Sequence, residues 1–177
     1  MKKSTKFIAT AAAALALFFS TNVNAQTPKL GIGVHAGIPT TDQYNFTLGG
    51  DARLQFDISK QISIPVSAGY THFFSKDYAP EIKQDYGYIP VKAGVKVFFD
   101  EVTGSGLYGM AELGAAFGVT NDAKTGFIYA PTIGYSWSSG LDLGIRYEGI
   151  SSARKATPVY EKNVSQIALR LAYGFKL

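Results

Sequence analysis

The stretch Val164-Ser165-Gln166-Ile167-Ala168-Leu169-Arg170-Leu171-Ala172-Tyr173-Gly174-Phe175-Lys176-Leu177 alternates along its whole length. Ser165, Ile167, Leu169, Leu171, Tyr173, Phe175 and Leu177 share one face, which grows steadily more apolar and aromatic. Val164, Gln166, Ala168, Arg170, Ala172, Gly174 and Lys176 share the other. A repeat of two is the period of a β-strand. Left as a bare edge, so apolar a strand invites aggregation. Paired with a first strand so that the sheet closes on itself, it leaves no edge, which is the condition for a sheet to stand in a bilayer. The segment predicts a closed membrane barrel if the preceding sequence supplies partners of the same kind.

Seven such partners precede it: Lys29–Ile38, Phe46–Asp57, Gln61–Phe74, Ile89–Phe99, Leu107–Val119, Phe127–Trp137 and Leu141–Ile150. Each alternates apolar with polar or small residues over roughly the 9–11 residues that a tilted membrane strand needs. In the third, for instance, Ile62, Ile64, Val66, Ala68, Tyr70, His72 and Phe74 oppose Ser63, Pro65, Ser67, Gly69 and Thr71. The connections after odd segments (Pro39–Asn45, Ser75–Tyr88, Thr120–Gly126, Ser151–Asn163) run longer than most of those after even ones (Ile58–Lys60, Asp100–Gly106, Ser138–Gly140). Short turns on one side and longer loops on the other are the habit of bacterial membrane barrels. An even strand count puts both termini on the short-turn side. Pro65 and Pro131 cannot donate to a ladder, and their expected places are β-bulges. The fold predicted is all-β: an eight-stranded antiparallel transmembrane up-and-down barrel.

The front of the chain reads differently. Lys2, Lys3 and Lys6 form a basic start, Phe7–Phe19 is apolar, and Val23-Asn24-Ala25 offers a small-residue cleavage site. That is the pattern of a secretory signal over residues 1–25, too short an apolar run for a spanning helix, with the barrel domain over residues 26–177. Three of the 17 basic residues lie in that segment, and the other 14 nearly balance the 13 acids. The residual charge gives no case for nucleic acid. With no cysteine, disulfides and thiolate metal sites are excluded.

Strand charges all fall on the face away from the apolar one: Asp51, Arg53, Asp57, Lys92, Lys96, Glu112, Asp142, Arg146, Glu148, Arg170 and Lys176. On the lipid face near mid-membrane, an Arg or Lys would cost about 2–4 kcal/mol. The charges are therefore expected inside, where an eight-stranded interior is just wide enough for side chains to fill it. Arg53, Lys92, Lys96, Arg146 and Arg170 facing Asp51, Glu112, Asp142 and Glu148 would make a paired plug, because buried charges must be paired. An open pore is the alternative use of the same residues.

Tyr173 lies on the outward face, where Phe99, Trp137 and Phe175 sit towards the short turns, and Tyr70, Phe74, Tyr129 and Tyr147 towards the loops. Two aromatic bands suit two membrane interfaces, whereas a soluble lipocalin-like barrel would turn these residues inward. His35 faces inward among glycines. His72 faces outward near the loop end, followed by Ser75 and Asp77. A nucleophile and its base must come within hydrogen-bond reach, and Ser75 has the opposite parity to His72. Two separated histidines without thiols give no metal-site spacing, and no cofactor is expected.

Three stretches, Tyr88-Ile89-Pro90-Val91-Lys92-Ala93-Gly94-Val95, Leu107-Tyr108-Gly109-Met110-Ala111-Glu112-Leu113-Gly114 and Leu169-Arg170-Leu171-Ala172-Tyr173-Gly174-Phe175, carry a family likeness. With them the chain resembles the small outer-membrane β-barrel proteins of OmpA- and OmpX-like architecture, especially the form found in Bacteroidetes-type bacteria. The resemblance implies a bacterial outer-membrane location, outer-membrane lipid as surroundings, and delivery by barrel assembly machinery through the C-terminal strand. Such barrels often finish on an aromatic residue, whereas here Phe175 is followed by Lys176 and Leu177. It further implies a non-enzymatic role in envelope integrity or surface interaction. Tyr78, Tyr86, Arg154, Lys155 and Tyr160 are the loop residues expected to be exposed for contact with an unidentified surface ligand. Some barrels of this shape resemble lipid A-modifying enzymes, which makes His72 the candidate for the catalytic alternative.

Overall fold

A computed structural model describes residues 28–76, 85–99, 105–120, 123–153 and 162–177. Residues 1–25, expected from the sequence to be a secretory signal, lie outside them. Eight strands follow one another: β1 (Lys29–Pro39), β2 (Tyr44–Asp57), β3 (Ile62–Ser75), β4 (Tyr86–Phe98), β5 (Gly106–Gly118), β6 (Gly126–Ser136), β7 (Leu141–Ser151) and β8 (Val164–Lys176). They pair antiparallel in sequence order, and β8 returns to β1 to close the barrel. That last seam runs from Lys29 opposite Lys176 to Pro39 opposite Gln166, so the C-terminal stretch has a partner along nearly its full length.

Alternation then decides which side chain meets what. Ile32, Val34, Leu113, Ile133, Ile145 and Leu169 point outward, each more than half exposed. An apolar belt around a whole barrel has no place in water and is what acyl chains require. Paired aromatics edge the belt. Tyr135–Trp137 and Tyr173–Phe175 approach to 4.8 and 4.9 Å between ring centres at the short-turn end. Phe46–Phe74 stack at 4.3 Å and Tyr129–Tyr147 lie 5.9 Å apart at the loop end.

The strands differ from the sequence pattern in three places. β2 starts at Tyr44, with a register irregularity between Tyr44 and Phe46, so the first connection shrinks to residues 40–43. It is no longer than the turns at 58–61 and 137–140, and the loop asymmetry rests on 76–85 and 152–163. β4 starts at Tyr86, which draws Tyr86 and Tyr88 out of the expected loop and into the wall.

The prolines, finally, do not occupy bulges. Beside Pro65 the β3–β4 ladder passes from Ser63–Lys96 directly to Val66–Ala93, and beside Pro90 from Ala68–Val91 to Thr71–Tyr88, with no change of register. Beside Pro131 the β6–β7 ladder skips in the same way, while Pro131 stays opposite Ala111 on its other side. A missing N–H opens a gap on one flank only, and the wall absorbs it without an extra residue.

Candidate functional site in the barrel lumen

The inward positions of the strands bring their charges into one connected interior. Three carboxylates act as hubs. Asp51 on β2 accepts from Nε and Nη2 of Arg170 on β8, with Nε at 2.9 Å from Oδ2, and Arg146 Nη1 stands 3.8 Å away. Asp142 on β7 accepts from Lys96 Nζ at 2.9 Å, the Tyr108 hydroxyl at 2.8 Å and Arg170 Nη1 at 3.4 Å. Glu148 accepts from Lys92 Nζ at 2.7 Å, Gln166 Nε2 at 3.1 Å and the Tyr88 hydroxyl, with Arg146 Nε 3.5 Å distant. Lys96 also lies over the Tyr108 ring, 3.7 Å from its centre. Every one of these charged side chains is largely buried, Asp142 being the most open at 11% exposure. Charges taken out of water hold only when such partners replace the water.

Arg53 and Glu112 are brought together less closely. Ser67 donates to Glu112 Oε1 at 2.7 Å, but Arg53 Nη2 stops 3.6 Å from Oε2. Arg53 Nε, Arg53 Nη2 and Glu112 Oε2 are all buried without a hydrogen-bond partner among the described residues. His35 Nε2 meets Thr71 Oγ1 at 3.1 Å, and its Nδ1 stands 3.7 Å from Asp51.

The sequence reading missed the neutral members of this network. Tyr88, Tyr108, Gln166 and Thr47, which donates to Gln166 Oε1, carry much of the hydrogen bonding. Their signal was parity: each lies on the same strand face as the charges. Space is as tight as the number of inward glycines suggests. A Cβ on Gly33 would lie 2.8 Å from Arg170 Nη2, and one on Gly49 2.4 Å from His35 Nε2.

At the loop end the lumen turns apolar. Tyr44, Phe73, Tyr86, Tyr88, Ile128, Ile150 and Val164 form one buried cluster. Tyr86 stacks on Tyr88 at 5.4 Å and meets Phe73 edge-on at 5.9 Å. It is only 1% exposed. The expectation that Tyr86 is available for surface contact is therefore corrected: β4 extends past it, and its parity turns it inward. Tyr78, Arg154, Lys155 and Tyr160 lie outside the described residues, as does Asp77. At the short-turn end the lumen is hollow. A cavity of about 550 Å³ reaches from Arg53, Lys96, Asp142 and Arg170 to the turn Ser138–Gly140.

His72 sits on the outer wall near the loop end. Its Nδ1 meets the Tyr70 hydroxyl at 2.9 Å, and its Nε2 meets Asp85 Oδ2 at 3.2 Å. Asp85 also accepts from the Ser75 N–H at 2.9 Å. Burial pushes the Asp85 carboxyl up, but the Ser75 N–H and His72 outweigh it and hold the group below the usual carboxylate range. Both ring nitrogens of His72 are thus engaged, while the Ser75 side chain is buried on the opposite face of β3.

Comparison with known proteins agrees with this geometry. Residues 10–175 match the family described as outer membrane protein beta-barrel domain. No curated protein sequence matches the chain. Among solved structures, the N-terminal β-barrel domain of Pseudomonas aeruginosa OprF is 13% identical with a TM-score of 0.54, covering 83% of this chain and 97% of its own. Neisserial surface protein A is 17% identical with a TM-score of 0.54, covering 86% and 100%. Ail, the attachment invasion locus protein of Yersinia pestis, is 17% identical in its complex with the heparin analogue sucrose octasulfate, with a TM-score of 0.51, covering 85% and 100%. At these identities the likeness is one of fold.

Proposed function

The chain belongs to the outer membrane protein β-barrel domain family, and on that footing we propose that it is a non-enzymatic barrel with a closed interior, acting in envelope integrity or surface contact through its outer loops. Its place is the bacterial outer membrane. The observation that carries the reading is the interior itself. A tier of charges joined through Asp51, Asp142 and Glu148 lies beneath an aromatic cluster of Tyr44, Phe73, Tyr86 and Tyr88. Solute would have to break several buried ion pairs and displace four packed rings to cross. Transport is then a poor use of this barrel, and the parts left to meet a partner are its wall and its loops, including the segments with Tyr78, Arg154, Lys155 and Tyr160. Residues 1–25 serve as the export signal, and β8 is the strand offered to the assembly machinery. Surface attachment is what the name of Ail describes for that protein; here it rests on the sealed lumen.

Planar-bilayer recording on the refolded, inserted chain tests the closed interior. Silence is expected; reproducible channels would move the assignment to a narrow pore. Shortening the connections after β3 and β7 should abolish cell-surface adhesion while leaving the folded barrel intact. Unchanged adhesion in both shortened chains would end the loop assignment.

A further inference from the structure

Among the described residues, the outward face of the eight strands carries no Lys, Arg, Asp or Glu, and His72 is its one histidine. A wall that faces lipid keeps such groups away, so a base retained at a single point calls for a reason. That point lies near the loop end of β3, and Asp85, just ahead of β4, brings an acid to it. The pair stands on open surface, with the histidine side chain 23% and the aspartate side chain 37% exposed.

What the pair leaves unspent defines what it can bind. Nε2 of His72 donates to the Asp85 carboxylate, so in the neutral ring Nδ1 accepts from the Tyr70 hydroxyl. Every donor of these three side chains is thereby used within the cluster. Asp85 has accepted twice, from His72 and from the Ser75 N–H, and a carboxylate has about four acceptor sites. The Tyr70 oxygen also keeps lone pairs. The open valences are acceptors, and they fit a ligand that brings hydroxyl or amide donors.

Aromatic rings border them. Phe74 meets the His72 ring edge-on at 4.6 Å, and Phe46 stacks on Phe74 with 14° between their planes. Phe46 remains 44% exposed. The negative face of such a ring takes the C–H side of a sugar, while an acceptor beside it takes the hydroxyls. Leu48, opposite His72, and Ile89 continue the surface into the apolar belt, both exposed. Lys76, next beyond Phe74 on the same parity, is partly exposed at the loop end. From mid-membrane outwards the order is acyl-chain surface, acceptors with a ring platform, then a cation. An acylated sugar that carries phosphate is complementary to that order. The longer loops of a bacterial barrel face the cell exterior, so the lipid that meets this rim is that of the outer leaflet.

We propose that Phe46, Phe74, Tyr70, His72 and Asp85 form a seat on the outer wall for the sugar headgroup of a phosphorylated glycolipid, with Lys76 placed for its phosphate. The seat binds and does no chemistry. It requires the outer-membrane position of the barrel, not the role given to the loops or the closed lumen, and loss of either reading leaves the other standing.

Native mass spectrometry of the full chain, refolded in detergent micelles and offered lipid A or phosphatidylglycerol in turn, decides it. Phosphatidylglycerol has acyl chains, a phosphate and hydroxyls but no sugar ring. Lipid A should be held about threefold more strongly or better, the effect of one ring contact or one partly exposed polar contact. Phe46→Leu keeps an apolar surface and loses the platform, and Asp85→Ala loses the acceptor. Each should weaken lipid A by a similar factor and leave phosphatidylglycerol unchanged. Phe127→Leu, at an exposed position of the loop end of β6, should change neither. Equal retention of the two lipids by the wild-type chain would overturn the proposal. So would an unaltered lipid A preference in folded Phe46→Leu or folded Asp85→Ala. A loss in Phe127→Leu as large as in Phe46→Leu would reduce the effect to general adhesion of the belt and overturn it too.

Discussion

Arg170, near the end of the chain, closes a bidentate grip on Asp51 across 119 residues of sequence. β8 lies beside β1 and β1 beside β2, so the pair forms only once the two ends of the sheet have met. Removing Arg170 strands Asp51 and weakens Asp142 in a dry interior. Arg170→Met should cost about 3–5 kcal/mol, the penalty of breaking a buried pair from one side. Adding Asp51→Asn should recover part of that loss. Urea unfolding in lipid vesicles measures both, and a double variant less stable than Arg170→Met would contradict the pairing.

Glu112→Gln isolates the loosest contact in the lumen. Arg53 then loses the acid nearest to it, at a cost of about 1–3 kcal/mol. Bilayer conductance should stay silent, because the aromatic cluster is untouched. A large conductance gain in this variant would make Glu112 a gate.

Gly33→Ala probes the crowding beside Arg170. The new Cβ would stand 2.8 Å from both Arg170 Nη2 and the Ala172 Cβ, tighter than atoms tolerate. We expect a loss of about 1–3 kcal/mol, the usual cost of overpacking. In an Arg170→Ala background the guanidinium is gone and the cost should shrink; strictly additive losses in this cycle would mean that the two sites do not touch.

Acid should loosen the rim at Asp85. Its carboxyl is held below the usual range against burial by the Ser75 N–H and His72. The contribution of the ionised group is therefore present above the ordinary carboxylate pKa of about 4 and is lost as pH falls through the lower value it has in the fold. The Ser75 amide resonance, followed by NMR in micelles, should move in that acid window, and Asp85→Asn should erase the movement. A transition unaltered by Asp85→Asn would assign it to another group.

Catalysis by His72 has a direct readout. With Tyr70 on one ring nitrogen and Asp85 on the other, neither nitrogen meets a serine hydroxyl among the described residues. Cells expressing His72→Ala should show the same lipid A acylation, by mass spectrometry, as cells expressing the wild-type chain. A changed acylation pattern would reinstate the enzyme reading.

Strand parity made the barrel legible. A lipid-facing wall tolerates no misplaced charge, so Asp51, Arg53, Lys92 and Arg170 mark the inner face even when read singly. Pairing across the lumen was harder to read. Which carboxylate meets which cation depends on strand tilt and stagger, and Arg170 reaching Asp51 and Asp142 together cannot be deduced from alternation. Tyr86 went astray for a local reason: Gly87 and Tyr88 beside it read equally well as loop or strand, and the packing of Phe73 decided the matter. The cavity at Arg53 is a matter of missing volume, to which no residue pattern corresponds.

The one-sided ladder gaps have a mechanical consequence. Two of them, beside Pro65 and Pro90, fall on the line between β3 and β4, and the third, beside Pro131, falls between β6 and β7. A barrel wall carries load along its rungs, and deformation concentrates where rungs are absent. The staves β4–β6 form one stiff panel, and β7 through β8 and β1 to β3 form another. Squeezed by a bilayer or drawn out by force, the cylinder flexes along two hinge lines, so its stiffness is unequal around its circumference although its topology is not.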